Sequence, residues 1–200
     1  MPDSQGSTGP VDAIALLRAQ HREVEELFGR LERLQPAAQG SAQSYLTERR
    51  ELVDQVVNRL MRHSNIEEAC FYPAVAEHAA RGGALVGTAV RQHKEAEAVT
   101  NRIDRMSPDN VDFDAGLREL IADVRQHVLM EETEIFPAIE AALSREQLLE
   151  LGAQLERAMR TVPTRPHPHA PPATTGVGKL LAKGVAVLDR MRDVAGGRQR

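Results

Sequence analysis

Aromatic residues and cysteine are scarce in this chain of 200 residues. Phe, Trp and Tyr together make up 3% of it, there is no Trp, and Cys70 is the single cysteine. Aromatic and β-branched side chains favour strands, whereas the abundant Ala, Leu, Glu, Arg and Gln favour helices. The composition therefore predicts an all-α protein. A single cysteine excludes an intramolecular disulfide, as is usual in a reducing compartment.

Long apolar runs are also missing. No run approaches the roughly 20 residues that cross a bilayer, and residues 1–10 lack the apolar core of a signal peptide. We therefore expect a cytoplasmic protein. The net charge is −4, and the basic excess is confined to residues 161–200, which hold seven basic and two acidic residues. An acidic body with a basic tail argues against nucleic-acid binding.

Prolines and glycines divide the chain into helical segments. Pro36, Gly82 and Pro108 mark the ends of the first three, as is typical of helix termini. Pro73 and Pro137 are expected to disturb the second and fourth helices, because proline removes a backbone donor and crowds the preceding turn. The predicted helices cover residues 11–34, 42–80, 84–106, 112–143 and, for a shorter fifth helix, 144–161.

The predicted organisation is one helical domain with flanking segments. Residues 1–10 are rich in Gly, Ser and Pro and are expected to be disordered. Residues 11–160 form the domain, residues 161–177 a Pro-rich linker, and residues 178–200 an amphipathic helix with a basic tail. That helix is expected to pack on the domain or on a neighbouring subunit of a homo-oligomer, and membrane contact is the less favoured alternative.

Apolar residues recur at spacings of three and four in the four long segments, which is typical of the seam of an antiparallel bundle. The predicted fold is an up-down-up-down four-helix bundle with additional C-terminal helices. Histidines and carboxylates interrupt this seam where Leu or Val would be expected. The predicted inward positions are Ile14, Leu17, His21, Val24, Phe28 and Leu31; Val53, Val56, Leu60, His63, Glu67, Cys70 and Ala74; Val86, Val90 and His93; and Leu117, Leu120, Val124, His127, Glu131, Glu134 and Ala138.

An internal repeat contains these polar positions. The stretch RHSNIEEACFYPAV around His63 aligns with QHVLMEETEIFPAI around His127 at an offset of 64 residues, so that His, Glu, Glu, an aromatic residue, Pro and Ala coincide. A weaker match relates AQHREVE at His21 to RQHKEAE at His93. Two helical hairpins with equivalent chemistry are therefore expected to face one another.

The spacing within the repeat suits a pair of metal ions. Residues four apart lie on one face of a helix, about 6 Å apart along its axis. Each His-x-x-x-Glu pair can therefore place its imidazole on one metal and direct its carboxylate toward a second. His21 and His93 add one imidazole from each remaining helix. Imidazole and carboxylate ligands without thiolate suit iron, with manganese and zinc less favoured.

The alternative is that these residues are structural core histidines and solvated glutamates. Glu67 and Glu131 both fall on the predicted seam, where an unpaired carboxylate costs roughly several kcal/mol. Four histidines and two glutamates at seam positions of a symmetric repeat therefore favour metal binding.

These motifs resemble the hemerythrin-like HHE cation-binding family over about residues 11–143. The resemblance depends on His21, on H-S-N-I-E at 63–67, on His93 and on H-V-L-M-E at 127–131. It implies an up-down-up-down bundle with an oxo- or hydroxo-bridged di-iron centre, and O2, NO or peroxide as small partners. The ligands that it implies are His21, His63, Glu67, His93, His127 and Glu131.

The chain departs from the O2-carrying members in its third helix. The third helix of those members carries the pattern His-x-x-x-His. In this chain the positions four residues either side of His93 are Ala89 and Glu97. This argues against reversible O2 carriage and leaves a ligand position open. Tyr72 is the first candidate, because its repeat partner is Phe136 and only one half keeps a phenol.

Other interpretations of single residues stay open. Tyr72 can instead be a packing residue with its hydroxyl near the surface. Cys70 is more readily a space-filling thiol than a redox partner. Further candidates as ligands, or as acceptors that orient the imidazoles, are Glu97, Glu25 and Glu134. Three other histidines are assigned to the surface or the linker: His78, His167 and His169.

Three functions are compatible with this pattern. The leading hypothesis is a di-iron protein that binds or senses O2, NO or peroxide, in stress response or iron homeostasis. The second is an enzyme with catalase-like or oxidase activity, which the missing fifth histidine and Tyr72 would favour. The third is a bundle that holds metal only for stability. The setting depends on the family resemblance alone.

Overall fold

The computed structural model describes residues 11–34, 37 and 41–161, and these residues form helices joined by short connections. Within those ranges no strand is present, so the all-α prediction is confirmed. The predictions of a disordered N-terminus, a Pro-rich linker and a last amphipathic helix lie outside the described residues, as do His167 and His169.

Seven α-helices and two π-helical segments account for most of this structure. The first π segment joins α2 to α3 and the second joins α5 to α6. None of the helices in the described part of the chain is long and apolar enough to span a membrane. The elements are α1 (Ala13–Arg33), α2 (Gln43–Ile66), the first π segment (Glu67–Phe71), α3 (Tyr72–His78), α4 (Gly82–Asp104), α5 (Phe113–Met130), the second π segment (Glu131–Ile135), α6 (Phe136–Glu140) and α7 (Arg145–Met159).

Four long arms make the predicted up-down-up-down bundle. They are α1, the continuous path of α2 through α3, α4, and the continuous path of α5 through α6. Neighbouring arms pack along their lengths, α1 on α2 and α4 on both α3 and α5. The connections between arms are short, which is what makes consecutive helices antiparallel neighbours.

Two apolar clusters fill the interior. One includes Leu17, Phe71 and Phe136, and the other includes Val24 and Phe113. A layer of buried polar residues lies between the two clusters. Along α1, Leu17 belongs to the first cluster, His21 to the polar layer and Val24 to the second cluster. The members of this layer that matter here are His21, His63, Glu67, His93, His127 and Glu131.

The π segments shift which residues of the second and fourth arms point into the bundle. The backbone N–H of Tyr72 donates to the carbonyl of Glu67, five residues earlier, and Phe136 repeats this contact with Glu131. Each π segment lies just before a proline, whose ring would crowd the carbonyl four residues earlier in a regular helix. A wider turn with one extra residue, as in other π-bulges, relieves that crowding.

The seam prediction is therefore wrong at three positions beyond the two glutamates, whereas Ala74 is buried as predicted. A regular period would bury Cys70, Glu134 and Ala138, but Glu134 is exposed and the other two are only half-buried. Phe71 and Tyr72 are buried in the first repeat, and Ile135 and Phe136 in the second. The predicted inward positions of α1 are all buried.

Helix α7 covers the end of the bundle that holds the π segments. It begins with a capping box in which Ser144 and Gln147 exchange side-chain-to-backbone hydrogen bonds, a common N-terminal arrangement. It then packs on α1 and the first π segment. The approach to α1 is close at Gly152, where a Cβ atom would lie 2.1 Å from the carbonyl oxygen of Val11. The predicted fifth helix is thus confirmed, and glycine is required at its contact with α1.

Candidate metal centre

All four arms contribute to one buried group of imidazoles and carboxylates. The histidines lie in the middle of α1 and α4 and in the last turn of α2 and α5. Each glutamate is the first residue of a π segment. The structure thus brings together the six residues that the sequence singled out, and none of them is more than 9% exposed: His21, His63, Glu67, His93, His127 and Glu131.

One half of this group comes from α1, α2 and both π segments. The Nε2 atoms of His21 and His63 are 3.2 Å apart. Nε2 of His63 is 3.2 Å from Oε1 of Glu67, and Nε2 of His21 is 3.3 Å from Oε2 of Glu131. These four side chains offer nitrogen and oxygen atoms that all lie within 4.8 Å of one another, a group that could hold one metal ion.

The other half comes from α4, α5 and the first π segment. The Nε2 atoms of His93 and His127 are 3.1 Å apart, and Nε2 of His93 is 3.3 Å from Oε2 of Glu67. Glu67, His93 and His127 again offer atoms within 4.8 Å of one another. Glu67 belongs to both halves, with Oε1 toward His63 and Oε2 toward His93, which is the placement of a bridging carboxylate.

Glu131 is placed differently from Glu67. Its Oε2 lies between the halves, 3.3 Å from Nε2 of His21 and 3.5 Å from Nε2 of His127. Its Oε1 accepts a hydrogen bond of 2.8 Å from the hydroxyl of Tyr72. The two glutamates are equivalent in the repeat but not in their contacts.

Each histidine also has a partner at its second nitrogen. Nδ1 of His63 lies 2.8 Å from Oε1 of Gln20, and Nδ1 of His127 lies 3.1 Å from Oε1 of Gln92. In the same way, Nδ1 of His21 lies 2.8 Å from Glu132 and Nδ1 of His93 lies 3.0 Å from Glu68. An oxygen acceptor at Nδ1 keeps the proton on that nitrogen. Each imidazole, when neutral, therefore directs the lone pair of its Nε2 atom toward the centre of the group.

These four partners were missed by sequence reasoning. The signal was present in the repeat, because Gln precedes His at 20–21 and 92–93, and a second Glu follows the first at 67–68 and 131–132. The candidates named instead do not lie in the buried group. Glu25 is exposed and pairs with Arg125, Glu134 is exposed, and Glu97 is exposed at the mouth of a cavity.

The carboxylates show that the group suits a cation. Both oxygens of Glu67, and Oε2 of Glu131, are buried without a hydrogen-bond donor, and both side chains are 0% exposed. A buried carboxylate without a donor or a counter-charge is strongly destabilising. Metal ions held between the Nε2 lone pairs and these oxygens would satisfy them, so the donor set fits a pair of metal ions.

The pKa values show that, without metal ions, protons on the group offset the charges of the buried carboxylates. Burial and the nearby Glu131 raise the pKa of Glu67 to about 8. Burial would lower the pKa of His93, but its contacts with Glu67 and Glu68 outweigh burial and raise it to about 10. Burial lowers the pKa of His127 to about 4. Protons retained on Glu67 and His93 would be displaced by metal ions, because metal binding releases protons from its ligands.

Tyr72 lies beside the second half of the group. Its hydroxyl is 3.2 Å from Nε2 of His93, and the side chain is 2% exposed. The interpretation of Tyr72 as a packing residue with its hydroxyl near the surface is therefore wrong, because the π segment turns the side chain inward. Burial, and then the charges of Glu67 and Glu131, raise the pKa of its phenol well above the ordinary value.

An aromatic layer closes one side of the group. The ring of Phe136 stacks on His21 with centroids 5.7 Å apart, and the ring of Tyr72 lies 5.5 Å from that of His93. The two aromatic residues are equivalent in the repeat, so the halves differ by one hydroxyl. The other side faces a cavity of about 660 Å³ between α2 and α4, which reaches all four histidines.

Four antiparallel arms around two adjoining groups of buried imidazoles and carboxylates define a helical cation-binding bundle. Within that class, the chain belongs to the hemerythrin HHE cation-binding family, whose domain matches residues 12–139. This match covers the four arms and ends before α7.

Two further proteins are similar to this chain. An uncharacterised hemerythrin-like protein of Schizosaccharomyces pombe is 31% identical over 144 residues, which is 70% of each chain. The crystal structure of a hemerythrin HHE cation-binding domain-containing protein from Mycobacterium kansasii superimposes with a TM-score of 0.64 at 21% identity. That alignment covers 90% of this chain and 98% of the other. The second likeness establishes the shared fold.

Proposed function

We propose that this protein holds two iron ions and binds or senses O2, NO or peroxide. The proposed ligands are the six buried residues of the candidate metal centre. The observation that carries the proposal is the convergence of four Nε2 atoms on buried carboxylate oxygens that have no hydrogen-bond donor. Manganese and zinc are the competing metals, because imidazole and carboxylate ligands bind them as well.

Two ions are favoured over one by the position of Glu67. Its two oxygens face different histidine pairs, and each pair offers its own set of nitrogen atoms within ligand distance of that carboxylate. Iron bound there would supply reversible one-electron chemistry and coordination positions for a small ligand. The protein's own contribution is to orient the imidazoles through Gln20, Gln92, Glu68 and Glu132 and to keep the group buried.

Tyr72 is proposed as a seventh ligand, on the second half of the centre. Its hydroxyl is already near Nε2 of His93 and hydrogen-bonded to Oε1 of Glu131. A nearby cation would favour deprotonation of a phenol whose pKa burial otherwise raises. Of the two positions four residues from His93, Ala89 is fully buried in the apolar cluster and Glu97 is exposed. Neither side chain reaches the buried group, so the open ligand position is assigned to Tyr72.

The second candidate function is an enzyme with catalase-like or oxidase activity. The observation that favours it is the difference between the halves, with a buried hydroxyl beside His93 and none beside His21, where Phe136 stands. That hydroxyl can hold or pass a proton at Oε1 of Glu131, which general acid–base chemistry needs.

Metal analysis and optical spectra of the purified protein, before and after addition of hydrogen peroxide, test both candidates. About two irons per chain, with near-ultraviolet bands of a bridged iron pair, are expected. Fast O2 release from peroxide would favour the enzyme, and a stable spectral change without O2 release would favour the binding or sensing protein. His63→Ala should lose metal, whereas His78→Ala, at an exposed histidine on α3, should retain it.

Metal-free protein that stays folded would contradict the proposal. The metal would be purely structural if chelation melts the bundle and if peroxide, azide and NO all leave the spectrum of the metal-loaded protein unchanged. A role in stress response or iron homeostasis would then lose its chemical basis, because it requires a small ligand at the metal pair.

A further inference from the structure

The cavity between α2 and α4 is much larger than a diatomic ligand needs. Its volume is about 660 Å³, whereas a water molecule takes up about 30 Å³ of liquid. O2, NO and hydrogen peroxide are each of the size of one or two water molecules. Cavities of about 300–1,000 Å³ are those that bind organic molecules in other proteins.

The wall of the cavity is apolar where it runs inside the bundle. Its side chains come from all four arms and adjoin the second apolar cluster one turn away from the histidines. Burial of aliphatic groups against such a wall stabilises a complex in proportion to the apolar area removed from water. The apolar residues are Val24, Val57, Leu60, Met61, Val90, Ala96, Val124 and Val128.

The mouth of the cavity carries mostly uncharged polar groups. Ser64 and Asn65 line it from α2 and Thr100 and Asn101 line it from α4, and their hydroxyls and amides can donate or accept hydrogen bonds. Lys94 and the acidic Glu97 also line the cavity from α4, and Glu68 lines it from the first π segment, with its carboxylate 3.0 Å from Nδ1 of His93. Because Lys94 and Glu97 carry opposite charges and Glu68 is engaged with His93, the lining favours neither an anion nor a cation. An uncharged molecule therefore fits best.

The inner end of the cavity meets the candidate metal centre on one side only. All four histidines line the cavity. Glu67, Glu131 and Tyr72 do not line it, and they lie on the side of the aromatic layer to which Tyr72 belongs. A molecule that enters between α2 and α4 therefore reaches the histidine side of the centre first. Its leading group would lie next to the metal pair while its body stays against the aliphatic wall.

We propose that this cavity binds an uncharged, chain-like organic molecule that carries an oxygen group, such as an alcohol or an alkyl hydroperoxide. The oxygen group faces the histidines and the alkyl chain lies against the aliphatic wall. This inference deepens the proposed function, because it names the class of molecule that the metal pair receives. The binding itself depends on the wall and not on the metal.

Equilibrium dialysis of radiolabelled 1-octanol against the purified protein measures this binding directly. Saturable binding of about one molecule per chain is expected. Among linear alcohols the affinity should rise about fourfold per added methylene until the cavity is filled. Ala96→Phe, which fills the cavity, should weaken binding at least tenfold, and Thr100→Phe, one turn further along α4, provides a second block. Ala98→Phe, on the exposed face of the same helix, is the matched control.

Metal content and the spectral response to hydrogen peroxide are measured on the same variants. Ala96→Phe should retain both, and lose only the response to octyl hydroperoxide. If the protein neither purifies with iron nor takes up added iron, but still binds octanol, the proposed function is rejected and the cavity assignment stands. Two results would overturn the cavity assignment: no saturable octanol binding by the unmodified protein, or equal binding by Ala96→Phe, Thr100→Phe and Ala98→Phe.

Discussion

The hydroxyl of Tyr72 donates a 2.8 Å hydrogen bond to Oε1 of Glu131, a residue 59 positions away in the chain. Tyr72 follows the first π segment and Glu131 opens the second, so the contact joins the two halves of the repeat inside the bundle. It satisfies the carboxylate oxygen that does not face the histidines. Phe136, the repeat partner of Tyr72, cannot make the reciprocal contact with Glu67, and the centre is therefore asymmetric.

Tyr72→Phe should remove any visible charge-transfer band of the iron-loaded protein and leave the iron content near that of the unmodified protein. The six other proposed ligands are untouched, and the phenyl ring still fills its place against His93. Absorption spectra of equally loaded samples measure the effect. Tyr45→Phe is the control, because Tyr45 is the only other tyrosine. A band that survives Tyr72→Phe would show that Tyr72 is not a ligand.

Glu67→Gln should lower the metal content from about two ions per chain to one or fewer. The substitution keeps the volume but removes the charge that both histidine pairs share. Glu131→Gln should act in the same direction. Glu77→Gln, at an exposed position of α3, is the matched control. Metal analysis after dialysis is the measurement, and equal content in all three variants would refute the bridging assignment.

Gln92→Leu should weaken metal binding by roughly 10–100-fold, as loss of a hydrogen-bond partner of a metal-bound histidine commonly does. The leucine cannot accept the proton of Nδ1 of His127, so the imidazole is no longer held in the tautomer that a metal needs. Gln126→Leu changes an exposed glutamine next to His127 and should have no such effect. Competition with a chelator of known affinity measures the difference.

Gly152→Ala should destabilise the protein by about 1–3 kcal/mol, the usual cost of overpacking. The new methyl group would lie 2.1 Å from the carbonyl oxygen of Val11, a backbone atom that cannot move aside easily. Gly87→Ala, in α4 with no atom near its Cβ position, should instead stabilise by about 0.5–1 kcal/mol. Urea unfolding of both variants is the measurement. Unchanged stability in Gly152→Ala would contradict the close docking of α7.

Removal of the metal should make stability depend on pH between about 6.5 and 8. The pKa of Glu67 is raised from 4.5 to about 8 and that of His93 from 6.5 to about 10. Over this interval the folded protein retains protons that the unfolded chain has released, so the free energy of unfolding falls as the pH rises. Unfolding of chelator-treated protein at several pH values tests this. The stability of the metal-loaded protein should vary less with pH, because metal ions replace those protons. A rise in the stability of the chelated protein over this interval would contradict the raised pKa values of Glu67 and His93.

Much of the fold and of the centre could be predicted from periodicity. In α1 the spacing of apolar residues identified every buried position except Ala13. The six polar seam residues were recognisable because histidine and glutamate stood at positions that a bundle normally fills with leucine. The helix boundaries agree to within a few residues, since prolines and glycines end helices for local reasons.

The rest required contacts between distant segments. Helical period cannot reveal a π turn, so the burial of Phe71 in place of Cys70 was not predictable from the pattern. The oxygen partners of the imidazoles were missed for a related reason. Glu132 contacts His21 across the bundle, and only the packing of the arms decides which of several nearby carboxylates reaches a given ring.

The sequence by itself determined an all-α bundle and the residues that meet at its centre, because both follow from one-dimensional periodicity and from the chemistry of side chains on a seam. Tertiary structure alone decided that Tyr72 faces Glu131, that Glu67 and Glu131 play different parts, and that a cavity of about 660 Å³ opens beside the histidines. These features depend on the rotation of one arm against another, which a one-residue π insertion alters and which no local pattern records.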